Sequence, residues 1–490
     1  MFQGRFDYVA GNRPWVNWAS LPSEYRQDIA PFWQGYGLFP HTGLKARLGS
    51  AMDDISILML YVSMDKYMKA SGRLGFVITQ TIFKSEGGGA GFRRLRLGER
   101  EPIKVLFVDD LSELQPFEGA TNRTSVVIAQ KGRPTEYPVA YSYWRKKKAN
   151  KSLPSDASLE EVLDATRTSQ WVARPVDPSS STSPWLTGRA HALAGLQKCI
   201  GLSQYQARMG VHCHGNGAYW LDIVATRPDG LYLVTNVPEA GRQDVESVQT
   251  AVESDFVYPL LRGKDVQQWA ANSVFSIMLP HDPAHPSKAY PIDLMQVRYP
   301  KTYCYLEHFR SFLKDRSGYR QFFNPSVDPY YSLYNVGDYT FALFKVVWRY
   351  IVSEFTCAVV GTALMPDGKA KLLIPETKLV LVPFTDEHEA HYLCACLSSS
   401  INRFLVKSYA INIQIATHVL NYIAIPRFNS TNQTHRALAT LSQQAHAATA
   451  AGDAARVREI EAEIDRLAAK LWGLTDAELR EIQESLEELQ

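Results

Sequence analysis

The sequence has few cysteines, and they lack the spacing of a disulfide framework. Six stand at 199, 213, 304, 357, 394 and 396 in 490 residues, a usage that fits a reducing compartment. No run of about 18 apolar residues occurs, which excludes an obvious membrane-spanning helix. The segment 1–9 lacks the apolar core of a secretory leader, so a cytoplasmic location is expected. Charge of one sign is also missing: 52 Lys and Arg against 50 Asp and Glu leave a formal +2. That balance excludes a polyanion-binding field over the whole surface and confines any nucleic-acid contact to local patches. There is no internal repeat, so a solenoid or array is excluded. What is abundant is aromatic side chains, with 25 Tyr, 21 Phe and 10 Trp, in a chain that is 46% hydrophobic. Such a composition excludes global disorder, and the length suits about three domains at ~150 residues each.

Periodicity divides the chain. Residues 6–11 read as a strand entering a loop. Ile57, Leu60, Tyr61 and Met64 recur at helical spacing within 53–68, and 74–79, 103–108 and 125–130 read as short buried strands. Alternating elements of this kind predict an α/β domain over 1–150. A polar stretch ending in the Ser/Pro tract 177–184 predicts a linker over 151–185. Residues 186–430 mix short strands and helices with Gly and Pro, as in Gly215-Asn216-Gly217 and Pro366-Asp367-Gly368, and predict an α+β domain. In 431–490 the apolar positions Val457, Ile460, Ile464, Leu467 and Leu471 follow alternating three- and four-residue steps, predicting a helical C-terminal segment. Thr475 and Glu478 spell a capping box for a last helix.

The sharpest chemical signal follows the first strand: Gly11-Asn12-Arg13-Pro14-Trp15-Val16-Asn17-Trp18. It resembles motif IV of the amino-group DNA methyltransferases, a strand-to-loop turn written Asn/Asp/Ser-Pro-Pro-aromatic. The chemistry explains the residue types. The exocyclic amine of adenine is a poor nucleophile, and two oxygen acceptors for its N–H groups stabilise the positive charge that grows as the nitrogen is methylated. The resemblance implies that Asn12 supplies a side-chain acceptor, that Arg13 supplies a backbone carbonyl and that Trp15 stacks on a base flipped from the duplex, with Pro14 shaping the turn. The motif's first proline is Arg13 here. Its carbonyl remains, while the fixed φ of proline is lost.

Further segments resemble single-chain restriction-modification methylases of the Eco57I-like type, in the same order along the chain. They are 74–81, 91–96, 103–109, 117–121 and 125–131 for the end of the catalytic sheet. Segments 258–266, 300–316, 345–349 and 389–399 resemble the target-recognition region. The resemblance implies the C-terminal part of an adenine-specific methyltransferase: a partial Rossmann-like sheet, an α+β target-recognition domain and a helical C-terminal segment. It also implies S-adenosyl-L-methionine as methyl donor, double-stranded DNA as substrate and a second chain carrying the cofactor-binding half. No metal is expected. The alternative reading, prompted by Arg13 and by the absence of a recognisable donor loop ahead of Asn12, is a catalytically inactive, sequence-specific DNA-recognition subunit.

Cations beside these motifs are candidate phosphate contacts: Arg93, Arg94, Lys146, Lys147, Arg262 and Lys264. Each also has a structural reading, as an anchor or a solvated loop. Gly87 to Gly91 with Asp109 or Asp110 about 20 residues on could substitute for a donor-binding loop. Asp367, Glu376 and Lys378 have the order of a metal-dependent nuclease triad, against which stands a plain hairpin turn at Asp367-Gly368. His212-Cys213-His214 place two imidazoles on one face of a strand, without a second ligand pair at metal spacing.

Overall fold

The computed structural model describes all residues except 1–3, 5, 40–52, 85–88, 118, 120–121, 149–152, 155, 353, 410–414 and 490. The chain forms two compact units. The first comprises Met1–Lys198, Phe404–Ile411 and Arg480–Gln490, and the second Cys199–Arg403 and Asn412–Leu479.

The first unit is built on an eight-stranded mixed sheet. Its strands are β1 (Phe6–Asn12), β2 (Met68–Thr79), β3 (Arg96–Leu97), β4 (Glu101–Asp110), β5 (Thr124–Lys131), β6 (Val139–Lys146), β7 (Thr166–Pro175) and β8 (Trp185–Gly188). The order across the sheet is β1-β2-β5-β4-β6-β7-β8, with β3 pairing β4. β1 and β2 are parallel, β5 runs antiparallel to both β2 and β4, and β6 is parallel to β4. Leu74, Phe76 and Ile78 of β2 alternate into the core beside Val105, Val127 and Tyr141, the period-two burial that strand pleating requires. Helices Ser23–Gly35 and Ile55–Val62 bring Trp33, Ile57 and Tyr61 into the same core.

β1 is the exception to this burial. It lies at the edge of the sheet, its residues are exposed or half-buried, and Tyr8 is 75% exposed. Parallel strands are ordinarily covered on both faces, so β1 is the least protected strand of the sheet.

Two expectations change here. The helix expected over 53–68 ends early: Ile55–Val62 is followed by a π-helical turn, Ser63–Tyr67, and β2 already begins at Met68. The linker expected over 151–185 contains the helix Leu159–Ala165, all of β7 and the start of β8. Trp171 and Trp185 are buried in the sheet's core, and a residue of this size contributes roughly 1.5–3 kcal/mol or more when taken from water. The Ser/Pro tract is only the turn between β7 and β8, closed by Ser183 Oγ accepting from the Asp177 N–H (2.9 Å).

The second unit carries two main sheets. The larger runs, in order, Gln249–Glu253, Leu231–Asn236, Trp220–Thr226, Phe275–Met278, Val257–Leu261 and Ile374–Pro375. The smaller runs Cys357–Val360, Phe344–Arg349, Leu379–Phe384 and Arg208–Met209. The C-terminal helices Gln433–Ala450, Ala454–Trp472 and Asp476–Glu488 match the expected helical segment. Asp453 caps the middle helix by accepting from Arg456 N (3.0 Å), and Gly473 ends it at φ +67°, where glycine avoids the Cβ penalty. Ile460, Ile464 and Leu467 face inward.

Candidate functional site

At one end of the first sheet, register aligns the termini of four strands. Asn12 of β1 pairs with Val77 of β2, Val77 with Val126 and Thr79 with Thr124 of β5, and Asp110 of β4 with Ser125. The loop leaving β1 crosses this end. Trp15 is half-buried there. Its indole N–H donates to the Val77 carbonyl (3.4 Å) and its ring meets Phe117 edge-on at 4.9 Å. The Trp15 carbonyl accepts from Asn122 Nδ2 at 3.5 Å. Arg13 lays its guanidinium over the Phe76 ring at 5.5 Å. Asn12 and Pro14 are exposed. The loop therefore presents the Asn12 amide to solvent while the two flanking large side chains tie it to β2.

Beyond Trp15 the loop is zipped to the start of a helix. Trp18 N donates to Asp53 O (2.7 Å), Ile55 N donates to Val16 O (3.0 Å), and Asn17 bridges Asp54. Trp18 packs on Trp33 and Phe39 with ring centroids at 5.6 and 5.0 Å, so this second tryptophan belongs to the core. Asp54 caps the helix by accepting from Ser56 N (2.8 Å), while Asp53 Oδ1 accepts from Gly89 N (2.5 Å). Burial, partly offset by the Gly89 N–H and Arg93, pushes the Asp53 carboxyl up to about 7. Burial likewise pushes Asp54 to about 6.

A closed polar network lies behind the same end. Asp110 accepts from Gln80 Nε2 (2.6 Å), Tyr141 OH (2.5 Å) and Ser112 N (3.0 Å). Lys84 is buried nearby, and desolvation pulls its amine down to about 8 against the opposing pull of Asp110. The network itself carried no sequence signal, because Gln80, Asp110 and Tyr141 meet only through strand pairing, and Asp110 is engaged in it and not in a donor-binding loop.

The glycine-rich stretch fits a cofactor poorly. Gly87 and Gly88 lie outside the described residues. A Cβ on Gly89 would sit 2.3 Å from the Ile82 carbonyl oxygen, and one on Gly91 2.2 Å from that of Leu38. The glycines permit the chain to pack on itself, which leaves no cradle for a phosphate or an amino acid at Gly89 or Gly91. Asp109 is engaged by the Trp144 indole N–H (2.7 Å).

Several candidate phosphate contacts prove to be internal anchors. Arg93 is buried and donates from Nη1 to Ile82 O (2.7 Å) and from Nε to Thr182 O (2.8 Å). Arg262 is buried, donates to both oxygens of Asp265 at 2.7 Å and lies over the Phe275 ring at 4.5 Å. A guanidinium so enclosed is not free to reach a phosphate, which corrects the expectation for these two residues. Arg94 pairs with Glu99 at 2.8 Å and donates to Gly37 O at 3.2 Å. Lys147 donates to the Asp164 carbonyl at 2.7 Å, Lys146 is half-buried and Lys264 is exposed. Arg145, in the same basic run, donates to the Glu488 carbonyl of the C-terminal helix.

The nuclease order resolves into turn chemistry. Asp367 closes a hairpin between Thr362–Leu364 and Ala370–Leu372 by accepting from Lys369 N (3.1 Å). Glu376 is buried and accepts from Gly263 N (3.2 Å). His212 and His214 stack at 3.6 Å. Burial and the neighbouring His214, Lys378 and Arg316 pull His212 down to about 4, which keeps it neutral near pH 7. Among the described residues no group of three or more His, Cys, Asp or Glu is placed to share a metal ion.

No family model matches the sequence, and no curated protein does. Solved structures do. One is a Type IIL restriction-modification enzyme, MmeI, in complex with DNA, at TM-score 0.58 and 11% identity over 98% of this chain and 57% of that one. The chain thus spans little more than half the length of that enzyme. Alignments to the type IIG restriction endonuclease BpuSI (TM-score 0.31, 13% identity, 99% and 53% of the two chains) and to the ATP-dependent Type ISP restriction-modification enzyme LlaBIII bound to DNA (TM-score 0.40, 10% identity, 90% and 29%) are too loose to bear on the fold. At this identity the likeness to MmeI concerns the fold: a mixed α/β architecture shared with a restriction-modification enzyme.

Proposed function

We propose that this chain is the target-base and DNA-recognition portion of an adenine-specific DNA methyltransferase acting in restriction-modification or phage defence. The observation that carries the reading is the placement of Asn12. It stands solvent-exposed at the C-terminal end of a parallel strand, where open α/β sheets present their reactive groups. Trp15 and Arg13 hold the loop from either side. The likeness to MmeI over 98% of the chain supports the same reading.

In this scheme the Asn12 side-chain oxygen and the Arg13 carbonyl each accept one N–H of a flipped adenine. Both would strengthen as the nitrogen becomes cationic, so they favour the transition state over the ground state. Trp15, pinned through its indole N–H, offers a ring face to the extruded base. The methyl donor, S-adenosyl-L-methionine, would supply an electrophilic methyl group. The glycines at 89 and 91 do not fit it, since the space beside both is filled by packed backbone. Among the described residues β1 is an edge strand, with Tyr8 75% exposed, which supports a reading in which a donor-binding half on a second polypeptide extends the sheet there. An unpaired edge strand is a ready template for such an addition.

The test is nucleoside mass spectrometry of DNA from cells carrying the protein in its native genetic context. N6-methyladenine that vanishes on Asn12→Ala supports the reading. Unchanged methylation in that variant overturns the role of Asn12. Sequence-specific, salt-dependent binding without any methylation would favour the inactive recognition subunit instead, a reading to which the Arg13 substitution lends weight.

A further inference from the structure

The second unit holds a cavity of about 580 Å³, in the range of ~300–1,000 Å³ usual for ligand sites. It opens where the strands Trp220–Thr226 and Phe275–Met278 begin and Leu231–Asn236 and Val257–Leu261 end. Trp220 and Phe275 form an aromatic wall, with ring centroids 6.3 Å apart. The Arg262 guanidinium, also on the lining and neutralised by Asp265, lies over the Phe275 ring at 4.5 Å.

Three further cations line the cavity: Lys264, Arg349 and Lys378. They come from three separate segments, the 3-10 turn Gly263–Asp265, the end of the strand Phe344–Arg349 and the turn before Leu379–Phe384, which are fastened to one another. Arg349 Nη2 donates to Lys264 O (3.3 Å) and its Nε to Val266 O (2.6 Å). Tyr350 N donates to Lys378 O (2.8 Å). The buried Glu376 carboxylate accepts from Gly263 N at 3.2 Å, and a Cβ on Gly263 would touch Lys378 Cβ at 3.2 Å. Among the described residues the Lys264 and Lys378 ammonium groups make no salt bridge or hydrogen bond, and Arg349 Nη1 has no protein acceptor. Three cations on one lining, with donors left over beside the Glu239 and Glu376 carboxylates, offer an anion charge-assisted hydrogen bonds. Glu239, exposed on the lining, adds an acceptor for an amino group.

We infer that this cavity binds one nucleoside phosphate, the phosphate on Lys264, Arg349 and Lys378 and the base against Trp220 and Phe275. The combination of a cationic cluster with aromatic faces is the chemistry that holds single nucleotides. The ligand is either a free nucleotide or a nucleotide extruded from a DNA strand, and the shared chemistry is the same. The site lies within the second unit alone and does not depend on methyl transfer by the first.

Isothermal titration calorimetry of the full chain, without a methyl donor, tests the inference with dAMP, dCMP, dGMP, dTMP and inorganic phosphate. Saturable binding of at least one mononucleotide is expected, at least tenfold tighter than inorganic phosphate. Lys264→Ala with Lys378→Ala should weaken it at least tenfold while leaving the melting temperature unchanged, since both side chains are exposed. Phe275→Leu should weaken the nucleotide and not inorganic phosphate. Competition by a duplex carrying one unpaired nucleotide, but not by the fully paired duplex, identifies DNA as the source. Failure of either duplex to compete identifies a free nucleotide. No saturable mononucleotide binding, affinity unmoved in the double lysine variant, or inorganic phosphate as tight as the nucleotides would each overturn the inference. Loss of methylation in cells leaves these outcomes untouched, so the two proposals fail separately.

Discussion

The loop at Asn12 and the cavity at Lys264 differ in how much of each site the chain completes. Asn12 projects from an edge strand with exposed or half-buried side chains on one flank. Lys264 projects from a turn buttressed by Glu376, Asp265 and Arg349. On the proposed function Asn12 supplies an acceptor from the edge strand of the described sheet. The cavity is open to solvent, but its lining segments are fastened to one another. Paired, buried charge holds the segments around the cavity, while the loop at Asn12 is held by two aromatic contacts and a short backbone zipper.

The most destructive way to break the comparison is to remove the buttress. Arg262→Ala leaves Asp265 buried without its partner, which costs about 3–5 kcal/mol, read as a lowered denaturation midpoint of the second unit. If Arg262 instead touched DNA phosphates, the variant would keep its stability and lose about one unit of salt slope. Asn12→Ala is expected to reduce methylation by about 10²–10³-fold, with DNA affinity within twofold and the melting temperature unchanged, because the side chain is exposed. A parallel loss of stability would mean that Asn12 serves the loop and not the base.

The zipper behind Asn12 gives a pH signature. The Asp53 carboxyl is raised to about 7 by burial, so the folded chain holds a proton that the unfolded chain releases near pH 4. Stability from this group is therefore full below about pH 4 and falls as pH rises from there to about 7. The expected loss is on the order of 2–4 kcal/mol for a shift of this size. Asp53→Asn, which keeps an acceptor for Gly89 N, should reduce the fall in stability between about pH 4 and pH 7 and leave the part that Asp54, raised to about 6, contributes. An identical pH profile in wild type and variant would show that Asp53 does not control it.

The strand-to-loop entry at Asn12 and the helical tail were legible because each is a local pattern. Asn12-Arg13-Pro14-Trp15 is contiguous, and Ile460, Ile464 and Leu467 repeat along one helix face. β7 and β8 were not legible. Their segment is polar in composition, and Trp171 and Trp185 are buried only because distant strands supply their neighbours. The guanidinium groups mislead for the same reason. Arg93 and Arg262 read as candidate phosphate contacts, yet both are buried anchors, and the buried Arg316 likewise donates to the carbonyls of Leu313, Cys213, Tyr330 and Ser332. Sequence shows the donor and hides the acceptors, which lie up to 103 residues away. The cavity at Lys264 escaped notice because its cations stand on three distant segments, at 264, 349 and 378, with no shared motif.

The mildest test concerns the turn that imitates a nuclease motif. Asp367 serves the hairpin by accepting from Lys369 N, and its carboxyl lies below the usual carboxylate range because that N–H, the Tyr232 hydroxyl and Lys369 favour the charged form over the opposing effect of burial. Asp367→Ala should therefore cost only about 0.5–1 kcal/mol of stability, the value of one local side-chain-to-backbone bond at a turn. Incubation with Mg²⁺ or Mn²⁺ and supercoiled DNA should give the same result for wild type and variant. Metal-dependent cleavage by wild type that disappears in Asp367→Ala and in Glu376→Gln would reinstate the two carboxylates as a catalytic pair. It would also move the second unit from a recognition body to an active one, since Glu376 would then have to leave Gly263 and turn toward a metal.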